Sequence, residues 1–294
     1  MSAGASGAPP DWRARRPPRL VQAEAAAKVN LGWRVGPRRE DGYHDVSGLL
    51  QTIDLSDRLE IAVEDAPGPL TVVVPGRPEL ERPSNLIHRA AEAVAQRLSV
   101  EPPATMIVLH KAIPVAAGLG GGSADAAAAL VGLSVAWGAN VPVRELLELG
   151  TRIGSDVPAL MVGGLVSVSG RGERVRGIGS FDHGWVVLGV GAEEVSTATV
   201  YELFDQTGAQ PTDALAHNDL ELPACELIPP LRARLDAMRE AAGVAFVSGS
   251  GPTVVGVAAD EASARAVADE VSGVFADVLV ARPCAWGVRL QMGT

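Results

Sequence analysis

The sequence predicts an α+β fold in two domains. Segments that alternate like strands and segments that favour helices follow one another without the regular β-α-β period of a doubly wound parallel sheet. The chain has 294 residues, and 47% of them are apolar, which is enough for two hydrophobic cores. The pattern of strand and helix restarts at about Trp185. We therefore place the boundary between the halves near residues 165–185.

The elements of the first half follow from local patterns. Apolar alternation and turn residues predict strands over residues 20–35, 49–63, 70–74, 105–109 and 163–169. Asn85 stands where a helix N-cap is expected and predicts a helix to about Leu98. An alanine run behind a glycine-rich loop predicts a helix to about Trp137, because alanine has the strongest helix propensity. A further helix is predicted over residues 143–152.

The second half repeats the alternation of strands and helices. Strands are predicted from residue 185, over 245–248 and 253–258, and last near Val278. Helices are predicted around residues 199–206, 226–241 and 261–271. A turn at Gly249, Ser250 and Gly251 separates two of the strands.

Composition excludes several classes of partner. The formal net charge of −10 argues against nucleic acid, which binds basic surfaces. No apolar run approaches the roughly 18 residues that could span a bilayer. Residues 1–19 combine arginines and prolines without an apolar segment, so we expect a disordered tail and not a secretory signal. The two cysteines are too few for a disulfide framework, which fits a reducing cytoplasm.

The most informative segment is the loop from Gly118 to Gly122, with four glycines in five positions. A flexible loop that leads into a helix N-terminus offers free N–H groups and the positive end of the helix dipole, so it predicts a phosphate site. It is not a P-loop, because no lysine follows the glycines. It is not a dinucleotide fingerprint either, because no acidic residue ends a second strand about 20 residues later. A purely structural turn remains the alternative.

The segment from Pro114 to Ala124 resembles the ATP-binding loop of the GHMP kinase superfamily. Residues 27–31 and 247–253 resemble the N-terminal and C-terminal motifs of the same superfamily. The turn Gly42-Tyr43-His44 and the segment from Gly154 to Pro158 further resemble those members that act on a CDP-linked methylerythritol. The resemblance extends from about residue 22 to residue 285.

This resemblance implies a two-domain GHMP-kinase-like fold. An N-terminal ATP-binding domain is expected over residues 20–170, and a C-terminal ferredoxin-like α/β sandwich over 171–294. The implied enzyme uses ATP and Mg²⁺ to phosphorylate the 2-hydroxyl of a CDP-linked methylerythritol, in the non-mevalonate route to isoprenoid precursors. It is a monomer or a homodimer. Another kinase of the superfamily, of the homoserine or mevalonate type, and a catalytically silent nucleotide-binding regulator are the alternatives.

Two residues are candidates for catalysis. Asp156 precedes Val157-Pro158, a context typical of a helix N-cap, and spacing alone favours that role. The resemblance instead implies that Asp156 is the catalytic base, with Ser155 as the cap. It also implies a catalytic role for Lys28, one of only two lysines in the chain. Asn30 lies two residues further on the same strand face and could bind the same substrate.

The remaining candidates bind the two substrates. Tyr43 is expected to stack on the cytosine and His44 to contact its polar edge, with Tyr201 as a second wall and Thr197 nearby. The glycine turn at 249–251 is expected to close over the substrate diphosphate, although a plain hairpin is the alternative. The ATP phosphates are assigned to the loop: Pro114, Gly118, Leu119, Gly120, Gly121, Gly122, Ser123 and Ala124. The Ser123 hydroxyl is expected near phosphate or Mg²⁺.

Asn85 and Lys111 are candidate nucleoside contacts. Their alternatives are an ordinary helix cap and a solvated lysine at a strand end. No histidine shows the spacing of a metal site, and the sequence predicts no set of metal ligands.

Overall fold

A computed structural model describes residues 20–99, 101–179, 184–207 and 217–292. The predicted tail at residues 1–19 lies outside this range. The strands are β1 Leu20–Arg38, β2 His44–Pro67, β3 Leu70–Val73, β4 Pro103–His110, β5 Leu165–Gly170, β6 Arg174–Gly179, β7 Trp185–Val190, β8 Ala245–Val247, β9 Val254–Ala258, β10 Asp277–Ala281 and β11 Val288–Met292. The helices are α1 Leu86–Leu98, α2 Gly121–Ala136, α3 Val143–Ile153, α4 Val157–Val162, α5 Thr197–Thr207, α6 Glu221–Leu227, α7 Pro229–Ala242 and α8 Glu261–Val271.

The strands of the described residues form two sheets, of which the larger has seven strands. Its main path runs β11-β1-β2-β4-β3, while β5 pairs with β2 and β6 pairs with β5. β1 and β2 form a long antiparallel hairpin whose register shifts between Ala26 and Ala27 and again between Asn30 and Gly32. Such bulges turn side chains of a strand toward a new direction. Both shifts flank Lys28, so the irregular part of β1 lies at the candidate site.

Helix α2 packs deep against this sheet. Its alanines are almost all buried, because small side chains let a helix approach a sheet closely. The approach is close at Gly132, where a Cβ atom would lie 2.5 Å from Cδ1 of Ile61. The helix is therefore fixed in the core, and its N-terminus presents the glycine-rich loop at the surface of the sheet.

The smaller sheet has four antiparallel strands in the order β10-β7-β9-β8. Together with the helices between them, these strands follow the β-α-β-β-α-β sequence of a ferredoxin-like sandwich. Helices α7 and α8 pack on the sheet through Leu231, Leu235 and Val267, which are buried in a second core. The predicted α+β class is confirmed.

The structure corrects two predictions of individual elements. Val278 lies in β10, but β10 is not the last strand, because β11 returns to pair antiparallel with β1. The helix predicted over residues 226–241 is two helices, since α6 ends at Leu227 and α7 begins at Pro229. Proline lacks a backbone N–H and favours the first turn of a helix, so it begins α7 here. The domain division at residue 170 stays a prediction; β6 and β11 both follow it and join the larger sheet.

Candidate active site

Lys28 lies at the centre of the site. Its side chain is buried, with 5% exposure, and its ammonium donates to Oδ1 of Asn30 at 2.5 Å and to the carbonyl of Gly118 at 2.9 Å. Oδ2 of Asp156 lies 3.6 Å from the same Nζ atom, an ion-pair distance. Three acceptors therefore surround the three N–H groups of this ammonium, which fixes its position. Asn30 and Lys28 do project from the same face of β1.

The carboxylate of Asp156 is not used to cap the helix that follows it. Asp156 is the N-cap residue of α4, in place of the predicted Ser155, but its carboxylate makes no capping hydrogen bond. The side chain is 30% exposed and faces the same cavity as Lys28. A carboxylate that is partly solvated, ion-paired and not used by the helix has an oxygen available to accept a proton.

The glycine-rich loop passes directly over Lys28. Gly118 and Gly120 both have φ of 75°, which favours glycine, and Gly120 is the N-cap residue of α2. A Cβ atom on Gly120 would lie 3.0 Å from Cγ of Lys28, and one on Gly118 would lie 2.7 Å from the carbonyl oxygen of Ser248. The two glycines thus allow the loop to contact both the lysine and the C-terminal glycine turn.

Two cavities share this loop as a wall. The larger, of about 530 Å³, contains Lys28 and Asp156. The smaller, of about 400 Å³, lies on the other side and is lined by Asn85, Lys111, Pro114 and the residues from Gly118 to Ser123. The first N–H groups of α2 have no partner within the helix, and they open on this side. The smaller cavity has the features of a phosphate site.

Asn85 caps helix α1. Its Oδ1 accepts from the backbone N–H of Ile87 at 3.0 Å, and its Nδ2 donates to the carbonyl of Leu80 at 2.9 Å. The side chain lines the smaller cavity, but both ends of its amide already have partners. The helix-cap alternative is confirmed.

Lys111 forms a buried cluster with two carboxylates. Its ammonium lies 2.5 Å from Oδ2 of Asp57 and 2.8 Å from Oδ2 of Asp125. Asp57 is fully buried and also accepts from the backbone N–H groups of Ala112 and Ile113. Lys111 is therefore neither solvated nor free. The cluster joins β2, the segment before the loop and α2, and so fixes the base of the glycine-rich loop.

The cluster holds one cation for two acids. Burial raises the pKa of Asp125 to about 8, an effect that the ammonium of Lys111 only partly offsets. Burial also opposes the charge on Lys111, but the two carboxylates raise the pKa of the lysine above its ordinary value. Asp57 accepts from two backbone N–H groups as well as from the ammonium. Asp125 therefore holds the proton near neutral pH.

We expect this proton to make stability depend on pH. A carboxyl group with a higher pKa in the folded state binds more protons there, so stability falls as pH rises from about 4 to about 8, the unfolded and folded pKa values. The expected slope is on the order of 1 kcal/mol per pH unit. Urea unfolding across this range should show the slope in the wild type and its loss in Asp125→Asn. The exposed Asp236→Asn is the matched control, and equal slopes in Asp125→Asn and the wild type would contradict the assignment.

The larger cavity has an aromatic end. Tyr43 is 57% exposed at its rim. The His44 ring is buried: Nδ1 lies 2.9 Å from the carbonyl oxygen of Gly36, and Nε2 lies 3.4 Å from Oδ1 of Asp205. The ring of Tyr201 packs against it with centroids 5.3 Å apart. The predicted aromatic residues thus line the same cavity as Lys28 and Asp156.

Tyr201 is fixed as a neutral hydrogen-bonding group. Its hydroxyl accepts from Nε1 of Trp33 at 2.9 Å. Burial raises the pKa of Tyr201 to about 12, so the phenol keeps its proton at neutral pH. No sequence motif marks Trp33, because its role depends on a contact with a residue 168 positions away along the chain.

The C-terminal glycine turn closes the cavity from the other side. The Ser248 hydroxyl donates to the carbonyl of Gly118 at 3.2 Å. Asn218, which sequence reasoning missed, donates to the carbonyl of Gly249 at 2.7 Å. The hydroxyls of Thr197 and Ser250 lie 3.0 Å apart. Gly251 contacts the loop as well, because a Cβ on Gly118 would lie 2.8 Å from its carbonyl oxygen.

Within the described residues, no group of three or more histidine, cysteine or acidic side chains could hold a metal ion. No helix in that part of the chain is long and apolar enough to cross a membrane.

Comparison with known proteins identifies the family. The chain matches the family of GHMP kinases N terminal domains over residues 85–164 and that of GHMP kinases C terminal domains over residues 203–277. A 4-diphosphocytidyl-2-C-methyl-D-erythritol kinase of Anaeromyxobacter sp. (strain K) is 40% identical over 268 residues, which cover 85% of this chain and 84% of that protein. The chain belongs to the 4-diphosphocytidyl-2-C-methyl-D-erythritol kinase family.

Other members and structures agree with this family. The member from Moorella thermoacetica is 36% identical over 285 residues, or 90% of this chain and 99% of the relative. A crystal structure of 4-(cytidine 5'-diphospho)-2C-methyl-D-erythritol kinase superposes with a TM-score of 0.75 at 31% identity, over 88% of this chain and 98% of that one. A homoserine kinase from Cytophaga hutchinsonii has a TM-score of 0.73 at 18% identity, over 93% and 98% of the two chains, and so shares the fold. The predicted family and the two-domain GHMP-kinase fold are confirmed.

Proposed function

We propose that this chain phosphorylates the 2-hydroxyl of 4-diphosphocytidyl-2-C-methyl-D-erythritol with ATP. The observation that carries the proposal is the position of Lys28 and Asp156. Both lie in the larger cavity, beneath a glycine-rich loop that also lines the smaller one. A phosphoryl group bound at the loop is therefore next to a carboxylate and an ammonium that could act on an alcohol. In-line transfer needs this arrangement.

Asp156 takes the proton of the attacking hydroxyl in this mechanism. Lys28 lies 3.6 Å from its carboxylate and pairs with it, while Asn30 and the carbonyl of Gly118 hold the ammonium in place. The same ammonium is close enough to the loop to offset charge on the transferring group. The hydroxyl becomes a better nucleophile as its proton moves to Asp156.

Groups at the start of α2 could bind ATP in the smaller cavity. The N–H groups at the start of α2, from Gly121 to Ser123, would hold the phosphates of ATP. Mg²⁺ takes oxygen ligands and keeps several waters, so the Ser123 hydroxyl and the phosphates fit it without a dedicated cage of acids. The ion would neutralise charge on the phosphates. Asn85 and Lys111 would then line the nucleotide cavity while supporting helix α1 and the loop.

The cytosine would lie at the aromatic end of the larger cavity. Tyr43 offers an exposed ring for stacking, and His44 and Tyr201 form a wall beside it. Thr197 and the turn from Gly249 to Gly251 line the same cavity and would enclose the linking part of the substrate.

Turnover with a panel of alcohols tests this function. Purified protein is given ATP, Mg²⁺ and either the cytidine compound, homoserine or mevalonate, and phosphorylated product is followed by ³¹P NMR. We expect turnover of the cytidine compound only. Turnover of homoserine or mevalonate without the cytidine compound would favour another kinase of the superfamily. Nucleotide binding without turnover of any alcohol would favour a silent regulator.

Replacement of Tyr43 tests the position of the base. We expect Tyr43→Ala to raise the KM for the cytidine substrate by roughly 5- to 150-fold, because base stacking contributes about 1–3 kcal/mol. The KM for ATP should change little, because Tyr43 lines only the larger cavity. Steady-state kinetics with each substrate varied in turn measures both values. Tyr43→Phe keeps the ring and should stay close to the wild type, whereas equal losses for both substrates in Tyr43→Ala would indicate a folding defect.

A further inference from the structure

Arg171 lies at the tip of the hairpin that joins β5 and β6. Its guanidinium carbon is 4.8 Å from the centroid of the Tyr43 ring, a cation–π distance, and the residue lines the larger cavity. Its charge is the smallest contribution to the lowered pKa of Asp41, but no carboxylate in the described part of the chain lies within ion-pair distance of this guanidinium. Its planar set of N–H donors is therefore available to a ligand.

The hairpin holds the backbone of Arg171 in one conformation. Oε2 of Glu173 accepts from the backbone N–H of Arg171 at 2.5 Å, and Gly172 donates to the carbonyl of Ser169 at 3.2 Å. Gly172 has φ of 108°, and a Cβ atom there would lie 3.1 Å from Cβ of Ser155. The hairpin tip thus packs on the residue before Asp156.

Arg171 is consequently between the two ends of the proposed substrate. It contacts Tyr43, where the base would stack, and its neighbour Gly172 contacts the segment that carries Asp156. A molecule that reaches from one end to the other must place its linking group between them. In a CDP-linked alcohol that group is a diphosphate.

Other cations of the cavity are already engaged. The ammonium of Lys28 is surrounded by three acceptors. Arg38 donates to the carbonyl of Gly42 at 3.3 Å and lies 3.5 Å from Asp205. Guanidinium groups bind phosphate oxygens through paired N–H donors, which a lysine cannot imitate. We propose that Arg171 binds the diphosphate of the substrate and determines the preference for a diphosphate-linked base. This inference rests on the proposed function.

Binding of CDP and cytidine tests the role without catalysis. Isothermal titration would measure the affinity of each compound for the wild type, Arg171→Ala, Arg171→Lys and the control Arg176→Ala, an exposed arginine of β6 outside the cavity. We expect Arg171→Ala to weaken the binding of CDP by about 10- to 100-fold, because the lost contacts are charge-assisted. The affinity for cytidine should stay within about threefold of the wild-type value. Arg171→Lys should lie between the wild type and Arg171→Ala. Added salt should weaken the binding of CDP more in the wild type than in Arg171→Ala.

The same titrations separate the two proposals. A wild type that binds neither CDP nor cytidine would contradict the proposed function itself. A wild type that prefers CDP, with the preference unchanged in Arg171→Ala, would overturn the role of Arg171 alone. An equal loss of CDP and cytidine in Arg171→Ala would also overturn it, because the arginine would then act by orienting Tyr43. Circular dichroism checks the fold of each variant, and Arg171→Lys provides the comparison if the alanine variant does not fold.

Discussion

Replacement of Asp156 by asparagine is expected to lower kcat by roughly 10²–10⁴, the usual contribution of a general base. Asparagine has nearly the same shape, so the contact with Lys28 is weakened while the cavity is kept. The amide cannot take the proton of the substrate hydroxyl. The affinity for ATP should stay close to the wild-type value, because Asp156 lines the larger cavity and not the smaller one. Single-turnover kinetics and titration with a non-hydrolysable ATP analogue measure the two quantities.

Asp205 offers a matched control for this variant. Its side chain is 29% exposed, compared with 30% for Asp156, and it lines the same cavity beside a cation. It lies at the aromatic end, against His44, so Asp205→Asn should raise the KM for the cytidine substrate and largely retain kcat. If Asp156→Asn kept near-normal turnover, Asp156 would only be the N-cap residue of α4. If both variants lost kcat equally, charge in the cavity would matter more than proton transfer.

Local sequence patterns predict most of the fold. The helix behind the glycine-rich loop was expected to end at about Trp137, and α2 ends at Ala136. The helix cap at Asn85 was likewise an alternative that the structure bears out. The pairing of β11 with β1 could not be predicted, because it joins the two ends of the described chain and five residues carry little local signal. Its stability comes from a partner strand and not from its own propensity.

In the candidate site, too, contacts between distant segments could not be predicted from local patterns. Motifs identified Lys28, Asp156 and the loop as separate segments, and the resemblance to a kinase superfamily implied the catalytic roles of the two residues. The contact between Gly118 and Ser248 spans 130 positions, and no pattern in either segment specifies it. Arg171 carries no signal at all in a chain where nearly all basic residues are arginine. Such contacts depend on how distant segments meet, which single-sequence patterns do not encode.

Lys111 illustrates how such a contact changes the interpretation of a residue. At the end of a strand and just before the loop, it was expected to be either a nucleoside contact or a solvated lysine. In the structure it is the shared cation of two buried acids, Asp57 and Asp125. Asp57 is 54 positions from Lys111 in the sequence, and Asp125 follows the glycine-rich loop. A role in this buried cluster and a role as a nucleoside contact predict different results when Lys111 is replaced.

Lys111→Met is expected to lower the free energy of unfolding by about 3–5 kcal/mol, because removal of one partner leaves a buried charge without compensation. Asp57 is fully buried and would lose the ammonium while it keeps its two backbone N–H donors. Methionine fills similar space, so the loss reports charge and not a cavity. Urea unfolding at neutral pH measures it. Arg265→Met breaks an exposed pair with Glu261 and, as a control, should cost less than about 1 kcal/mol.

A double variant identifies the source of the loss. Asp125→Asn removes the second acid of the cluster. The double variant should therefore lose less stability than the sum of the losses in the two single variants. Non-additivity would show that Lys111 and Asp125 share one electrostatic network. A Lys111→Met protein with wild-type stability and a greatly raised KM for ATP would instead support the nucleoside-contact hypothesis. A large loss of stability would show that the loop depends on this cluster, since α2 and the segment before the loop are both held by it.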